Sequence, residues 1–377
     1  MLLKQQSPTY LTNWGAAYCG DALKLLALLP DSSVNLVLTS PPFALQREKE
    51  YGNKAQKDYV AWLAEFAMLV HQKLKDDGSF VLDLGGAYEL GSPTRSLYNF
   101  RVPIHFCDEI GFFLAEDFYW HNPSKLPSPI EWVNKRKLRA KDSVNTVWWF
   151  GKTRWPKANV AKVLTEYSDR MKKLLDDPDG FYKPKKRPSG HQIGKSFGKD
   201  NGGSIPPNLL QIPNTESNGS YLRGCKTVGV KQHPARFPVK LPEFFIRFLT
   251  DPKDLVLDIF SGSNTTGYVA ECEGRKWLSF DDRIDYHASS SFRFLDQNTT
   301  DTELKNTHNA ILSGKTVDLR PNVYRSLDQP LKTTCIHNTA MPKQGLLILS
   351  ESNSNRPTRR PSTSKVISYS HTKVSKK

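Results

Sequence analysis

The feature that most constrains this chain is a diproline directly after an apolar run. Residues 34–39 (VNLVLT) are typical of a buried strand in a parallel sheet. Pro41 and Pro42 have no backbone N–H donor and a fixed φ, so the strand cannot continue through them. The chain must turn at the carboxyl end of the strand, where it presents Ser40 and Phe43. This edge of an open α/β sheet is where ligands bind.

The same four residues have the chemistry to hold a flat base that carries an exocyclic amine. The Ser40 hydroxyl and the Pro41 carbonyl can accept the two amine hydrogens, while the Phe43 ring can stack on the base. A lone Ser-Pro-Pro can equally be a turn that ends a strand. The rest of the chain has to decide between these two interpretations.

Composition narrows the class of partner. The 377 residues carry a formal net charge of +15, which favours a polyanionic partner such as nucleic acid. Charge does not separate DNA from RNA or from an acidic membrane surface. No stretch is long and apolar enough to span a bilayer, so we expect no membrane partner. The five cysteines form no CxxC pair, which predicts no metal site and a protein of the reducing cytoplasm.

A second strand should lie beside the first. Asp58 is a candidate N-cap for a helix over 59–75, and Gly78 a candidate terminator. Residues 79–84 then form the next strand, and such a strand–helix–strand unit is a parallel crossover. It places Asp83 at the same sheet edge as the diproline. Asp83 either assists the serine or is a plain carboxylate at a strand end.

The middle of the chain has less regular patterning. Residues 87–101 are predicted to form a surface loop, and 112–120 and 143–150 a pair of strands. Residues 152–232 are basic and irregular, which suits either reading of a nucleic-acid groove or a mobile solvated insertion. The basic residues expected to contact nucleic acid are Lys135, Arg136, Lys185, Lys186 and Arg187.

A second motif predicts the cofactor. The apolar run 255–260 leads into the Gly-containing turn 261–267, a combination that suits nucleotide-like ligands. The turn has P-loop spacing without the lysine, and no GxGxxG is present, which leaves either S-adenosylmethionine or a plain strand–helix turn. Asp258 is expected to hold its amino group and Asp281 both ribose hydroxyls. Asp21 is expected to accept from the adenine amine, although Gly-Asp is also an ordinary turn. The full predicted set is Asp21, Asp258, Phe260, Gly262, Ser263, Asn264, Thr265, Thr266 and Asp281.

The two motifs together resemble one family. Residues 39–43 (TSPPF) and 258–267 (DIFSGSNTTG), in this order, are similar to the β group of amino-methylating DNA methyltransferases. These are the type II enzymes that modify the N4 amine of cytosine. Residues 117–156 and 233–238 (HPARFP) also resemble that family. The resemblance covers about residues 18–296.

The resemblance implies a fold and a division of the chain. The fold is α/β, a Rossmann-like methyltransferase sheet in circularly permuted motif order with an irregular DNA-recognition insert. Residues 1–151 would be the catalytic half, 152–232 the target-recognition insert and 233–298 the cofactor-binding half. Residues 299–377 are rich in Thr, Ser and Asn and end in a basic stretch, so we expect a disordered tail.

The resemblance also implies the reaction. Ser40 with Phe43 favours N4 of cytosine, whereas Asp with Tyr at these positions usually accompanies N6 of adenine. Modification at C5 needs a cysteine nucleophile, typically after proline, and no Pro-Cys occurs. The family implies double-stranded DNA as substrate, a functionally paired restriction endonuclease and a bacterial or archaeal cytoplasm. The alternatives are N6-adenine methylation and a nonenzymatic DNA-binding protein. The expected catalytic residues are Ser40, Pro41, Pro42, Phe43 and Asp83, and the expected base contacts are Tyr119, Asn122 and Pro123.

Overall fold

The computed structural model describes residues 2–44, 58–178, 198–216 and 219–320, which form one ten-stranded sheet covered by helices. The strands are β1 (Tyr10–Leu11), β2 (Gly15–Cys19), β3 (Val34–Thr39), β4 (Leu74–Gly85), β5 (Phe113–His121), β6 (Val144–Gly151), β7 (Leu209–Gln211), β8 (Leu255–Asp258), β9 (Lys276–Asp281) and β10 (Val317–Asp318). The α-helices are α1 (Ala22–Ala27), α2 (Tyr59–Lys73), α3 (Tyr98–His105), α4 (Asp169–Asp176), α5 (Ser220–Val228), α6 (Lys240–Leu249), α7 (Thr265–Cys272), α8 (Ile284–Ser290) and α9 (Asp301–Leu312).

The strand order confirms the α/β prediction. Across the sheet the order is β10-β1-β2-β9-β8-β3-β4-β6-β5-β7. Strands β2, β9, β8, β3 and β4 are parallel to one another, and β6 is antiparallel to both of its neighbours. The seven strands from β2 to β5 in this order form the main sheet, and the short strands β10, β1 and β7 extend its two ends. Strands β3 and β8 are neighbours although more than 200 residues separate them.

The sheet separates two hydrophobic cores. Val37 of β3 packs into one core, with helices α1, α2 and α3, while Leu36 and Leu38 pack into the other, with α5 to α9. Alternate residues of a strand point to opposite faces, so a strand covered on both sides is buried at every position and must be mostly apolar. This is why residues 34–39 are all buried. Among the described residues, no helix has the length and apolarity needed to cross a membrane.

Helix α2 begins at Tyr59, as predicted, but ends earlier than predicted. It ends at Lys73, because Leu74 is extended and begins β4, so Gly78 lies inside the strand and does not terminate the helix. Asp58 occupies the predicted N-cap position, but its side chain makes no capping hydrogen bond. The predicted surface loop 87–101 is also partly wrong, because its last residues belong to α3 from Tyr98 onward.

The tail begins later than predicted. Residues 299–320 are ordered: Thr300 and Glu303 form a capping box at the start of α9, and β10 pairs with β1. The helix buries Leu304, His308 and Ile311, and the polar residues between them obscured this stripe in the sequence. The prediction of disorder is therefore wrong for these residues. Residues 321–377 lie outside the described part of the chain.

Parts of the segment 152–232 belong to the same sheet and the same core as the residues on either side of it. Strand β7 pairs with β5 at the edge of the sheet, and α5 buries Tyr221, Leu222 and Cys225 in the second core. Its predicted role in target recognition remains a prediction. Three of its predicted DNA contacts, Lys185, Lys186 and Arg187, lie outside the described residues.

The capping box makes the ordered start of the tail testable. We expect Thr300→Ala to speed amide hydrogen exchange in α9 about fivefold, because losing an N-cap costs about 1 kcal/mol of helix stability. Thr302→Ala, an exposed position in the same helix, is the matched control and should leave exchange nearly unchanged. Equal exchange in both variants would contradict this description of α9.

Candidate active site

Several strand ends surround one cavity. The carboxyl ends of β3, β4, β8 and β9 and the amino end of the antiparallel β6 line a cavity of about 1080 Å³. This volume is at the upper end of the roughly 300–1,000 Å³ of single-ligand pockets, so it can receive two reactants side by side. Of the predicted site residues, the cavity brings together Asp21, Ser40, Pro41, Pro42, Phe43, Asp83, Asn122, Phe260, Gly262, Ser263, Thr265 and Asp281.

Ser40 and Asp83 form the polar centre of one half of the cavity. The Ser40 hydroxyl donates to Oδ2 of Asp83 over 3.0 Å, and the side-chain amide of Asn145 donates to Oδ1 over 3.1 Å. Burial raises the pKa of Asp83 to about 6, and the two hydrogen bonds and the charge of Lys125 act in the opposite direction. A buried carboxylate with a pKa near neutrality can exchange a proton with a serine hydroxyl.

Phe43 lies against the end of β4. A Cβ atom at Gly85 would lie 2.4 Å from the Phe43 ring, so only glycine leaves room for the ring at this position. The backbone carbonyl of Gly85 accepts a hydrogen bond from the Tyr98 hydroxyl of α3. The aromatic ring is therefore seated on a strand end that is itself fixed by the first core, as a stacking surface requires.

The other half of the cavity surrounds the turn after β8. Gly262 has a φ of +48°, which favours glycine, and a Cβ there would lie 3.0 Å from the His233 ring. Its N–H donates to Oδ2 of Asp281 over 2.8 Å. Burial raises the pKa of Asp281 to about 7, although hydrogen bonds from Gly262 and Arg283 oppose that shift. An acid beside a narrow glycine turn, with no lysine in it, fits S-adenosylmethionine better than a phosphate ligand.

Asp258 lies underneath this turn and not in the cavity. Its carboxylate accepts from the Thr39 hydroxyl over 2.6 Å, the Thr266 hydroxyl over 2.7 Å and the Phe260 N–H over 3.1 Å. The residue is 1% exposed and does not line the cavity. The predicted direct contact with the cofactor amino group therefore needs correction, because the carboxylate is buried beneath the turn and does not reach the cavity. Asp258 instead ties the end of β3 to the cofactor turn.

Two further predicted cofactor contacts are also internal. Asn264 caps α7 by accepting from the Gly267 N–H, and its amide donates to the Tyr10 hydroxyl over 2.8 Å. Thr266 is occupied by Asp258. Neither residue lines the cavity, so both shape the turn from behind.

Of the three predicted base contacts, one lines the cavity and two do not. Asn122 lines the cavity and accepts from the N–H groups of Ser124 and Asn214, whereas Pro123 does not line it. Tyr119 points away and donates to Asp117, while its neighbour Trp120 lines the cavity. Successive strand residues face opposite sides, so the side chain that lines the cavity is that of Trp120, one position after the predicted Tyr119.

Lys135 is the last residue of an exposed π-helical turn, residues 131–135, and Arg136 directly follows it. Both form ion pairs with Glu131, at 3.3 Å and 2.9 Å, and Arg136 also stacks on Trp132. Neither lines the cavity. Exposed ion pairs are weak, so both cations remain free to exchange Glu131 for phosphate oxygens.

Asp21 combines a capping role with a place at the cavity. Its carboxylate accepts from the Leu23 N–H over 2.8 Å and the Lys24 N–H over 3.3 Å at the start of α1. It also lines the cavity beside Asp282. The turn interpretation is thus correct, and contact with the adenine amine stays a prediction.

The sequence analysis missed several cavity residues. Among those given no role were Trp120, Lys125, Asn145, Asn214, His233 and Arg236. Most follow loops or lie on an antiparallel strand, so a search restricted to the carboxyl ends of parallel strands does not find them. Among the described residues, no cluster of His, Cys, Asp or Glu could hold a metal ion.

Comparison with known proteins agrees with this geometry. A model of the DNA methylase family matches residues 34–291. The type II methyltransferase M.PvuII of Proteus hauseri is 66% identical over 319 residues, which cover 85% of this chain and 95% of the relative. A solved structure described as PvuII DNA methyltransferase (cytosine-N4-specific) shares 56% identity with a TM-score of 0.70, covering 84% of this chain and 98% of that one. The DNA adenine methyltransferase YhdJ of Escherichia coli is 25% identical, covering 71% of this chain and 78% of the relative.

The raised pKa of Asp281 predicts a pH dependence of cofactor binding. Hydroxyl donors favour the ionised carboxylate, so affinity should fall as pH drops through about 7. We expect S-adenosylmethionine to bind about tenfold more weakly at pH 6 than at pH 8, measured by calorimetry. Asp281→Asn should bind weakly and lose most of this dependence. An unchanged pH profile in that variant would show that Asp281 does not receive the ribose hydroxyls.

Proposed function

The chain belongs to the family of DNA methylases that modify base amines, and on this basis we propose that it methylates the N4 amine of cytosine in double-stranded DNA, with S-adenosylmethionine as methyl donor. The observation that carries the proposal is the Ser40–Asp83 hydrogen bond beside the Phe43 ring, facing the same cavity as the Gly262 turn. Serine, diproline and phenylalanine supply two acceptors and one stacking surface. An amine that carries two hydrogens matches this arrangement.

The choice of cytosine rests on two residues and one relative. Ser40 and Phe43 occupy the positions where Asp and Tyr usually accompany adenine methylation. The highly similar PvuII methyltransferase is described as cytosine-N4-specific, whereas the adenine methyltransferase YhdJ is only 25% identical. N6-adenine methylation on the same scaffold is therefore the second candidate.

The target base has to leave the duplex before it can reach this cavity. Flipping costs a few kcal/mol, which stacking on Phe43 and new hydrogen bonds offset. The Ser40 hydroxyl and the Pro41 carbonyl accept the amine hydrogens and so turn the nitrogen lone pair away from conjugation with the ring. Positioning of this kind accounts for most of the rate gain in such a site.

One amine proton must leave when the methyl group is added. Ser40 takes this proton and passes its own to Oδ2 of Asp83, from which it is lost to solvent. The pKa of Asp83, raised to about 6 by burial, makes the carboxylate a competent acceptor at neutral pH. No covalent adduct between enzyme and base is needed.

The second half of the cavity fits the cofactor. Asp281 would hold the ribose hydroxyls, the backbone N–H groups of Ser263 and Thr265 in the turn the carboxylate, and Phe260 one face of the molecule. Phe260 is itself packed on Trp62 and Phe66, with ring centroids 5.7 Å and 5.0 Å away. When bound, S-adenosylmethionine supplies an electrophilic methyl group.

The biological setting is part of the proposal. Methylation of one sequence would protect DNA from a cognate restriction endonuclease that acts separately, in the cytoplasm of a bacterium or archaeon. The net charge of +15 supports contact with DNA. The exposed Lys135 and Arg136 lie on the same connection between β5 and β6 as the cavity residues Asn122 and Lys125.

Nucleoside mass spectrometry tests the reaction and its central residue together. After incubation with mixed-sequence duplex DNA and labelled cofactor, the expected product is N4-methylcytosine. Ser40→Ala should bind the cofactor normally but lose at least about a hundredfold in rate, because an acceptor for the amine is removed. Ser313→Ala, remote from the cavity, is the matched control. N6-methyladenine would select the second candidate, and a fully active Ser40→Ala enzyme would refute the proposed role of the serine.

Restriction challenge tests the biological setting. DNA from cells that express the protein should resist cleavage by one specificity within a panel of type II endonucleases. DNA from cells that express Ser40→Ala should be cut by every member of the panel. Sensitivity of both DNAs to the whole panel, despite N4-methylcytosine in the wild-type sample, would count against a protective role.

A further inference from the structure

Asn145 holds the side of Asp83 that Ser40 leaves free. It lies near the start of β6, where it pairs with Gly85 of β4, and it is buried with its side chain facing the cavity. Its amide donates to Oδ1 of Asp83 over 3.1 Å while Ser40 donates to Oδ2 over 3.0 Å. The carboxylate thus accepts a hydrogen bond at each oxygen, one from Asn145 of β6 and one from Ser40 directly after β3.

The antiparallel direction of β6 is what brings the amide there. Because β6 runs opposite to β4, its first residues meet the last residues of β4, and Asn145 reaches back to Asp83 across the strand pair. The same side chain lies beside the aromatic surface, since a Cβ at Gly85 would be 3.2 Å from its Oδ1 and 2.4 Å from the Phe43 ring. Thr146, next in the strand, donates to the Leu84 carbonyl over 2.8 Å and fixes this register.

We infer that Asn145 is a positioning residue of the methyl transfer: its amide keeps Asp83 ionised and oriented with Oδ2 toward Ser40. The inference rests on the proposed function and adds to it a residue to which neither the motifs nor the comparisons assign a role. An amide N–H can only donate to the carboxylate oxygen and so stabilises its charged form. Without this donor, the carboxylate is free to rotate and to take up a proton from solvent, and a protonated Asp83 cannot receive the proton of Ser40.

Among the groups around Asp83, Asn145 does most to lower the pKa of its carboxyl group and so to keep it ionised. Burial raises the pKa of Asp83, the hydrogen bond from Asn145 is the largest effect in the other direction, and the bond from Ser40 and the positive charge of Lys125 follow. Tyr98 of α3 lies close enough to feel the charge of Asp83, but its own pKa is raised, so it stays neutral. At the cavity rim Arg95 and Asp142 form an ion pair over 2.8 Å and largely cancel each other.

The decisive measurement is the pH profile of Asn145→Ala. We expect kcat to fall about twofold at pH 7 and about tenfold at pH 5, with recovery toward the wild-type value above pH 8, because the acid limb should move up by about one unit from about pH 6 when the donor is lost. KM for S-adenosylmethionine should change less than about twofold. Asn145→Asp should shift the limb further, since a second acid would then share the proton with Asp83. Asn99→Asp, the same change at a buried residue of α3 outside the cavity, should leave the limb in place.

A readout without turnover separates this inference from the proposed function. Infrared difference titration of the carboxyl band, with Asp83→Asn as reference, should give a higher pKa for Asp83 in Asn145→Ala than in the wild type. That result would support the inference even if the wild-type product were not N4-methylcytosine, which would overturn the proposed function alone. An unchanged Asp83 titration, or a loss of kcat that is equal at every pH and matched by Asn99→Asp, would overturn the inference.

Discussion

Parallel pairing of β3 with β8 on one side and β4 on the other is the constraint on which the site depends. The pairing aligns three carboxyl ends in space, although they are distant in sequence. Asp258 strengthens this alignment by accepting from Thr39 of β3 and from Thr266 beyond β8. The diproline then ends β3 at the level where β4 presents Asp83 and β8 begins its glycine turn. The base side and the cofactor side of the cavity are consequently held by adjacent strands, which fixes their separation.

Three carboxylates at this edge show how hydrogen bonds offset the effect of burial on the pKa. Asp83, Asp258 and Asp281 each have a pKa raised by burial, to about 6, 6 and 7, and each accepts hydrogen bonds that favour the charged form. Their partners differ and so do their tasks. Asp258 is surrounded by internal donors and braces the turn, Asp281 faces the cavity and suits hydroxyl donors, and Asp83 is held between an amide and the serine hydroxyl. Similar pKa values thus accompany three different hydrogen-bonding environments.

Most of the strands and the two motifs could be predicted because local sequence determines them. The run 34–39 is mostly apolar, and the structure gives a strand with these same bounds. The predicted partnership of Ser40 and Asp83 also holds, with a hydrogen bond of 3.0 Å. The predictions that failed depended on side-chain direction. Tyr119 and Trp120 differ by one position and face opposite sides, and Asp258 points into the protein and not into the cavity.

The sequence by itself determined that the chain is an α/β protein with a diproline turn at one strand end and a glycine-containing turn at another, because prolines, glycines and apolar runs act on the backbone locally. Tertiary structure alone decided which polar groups share a carboxylate and which acids face the cavity. Asn145 reaches Asp83 only because β6 runs antiparallel to β4. Residues 301–318 are ordered only because α9 packs into the second core and β10 pairs with β1. Such contacts join residues far apart in the chain, and their free energy arises only when the strands and helices pack together.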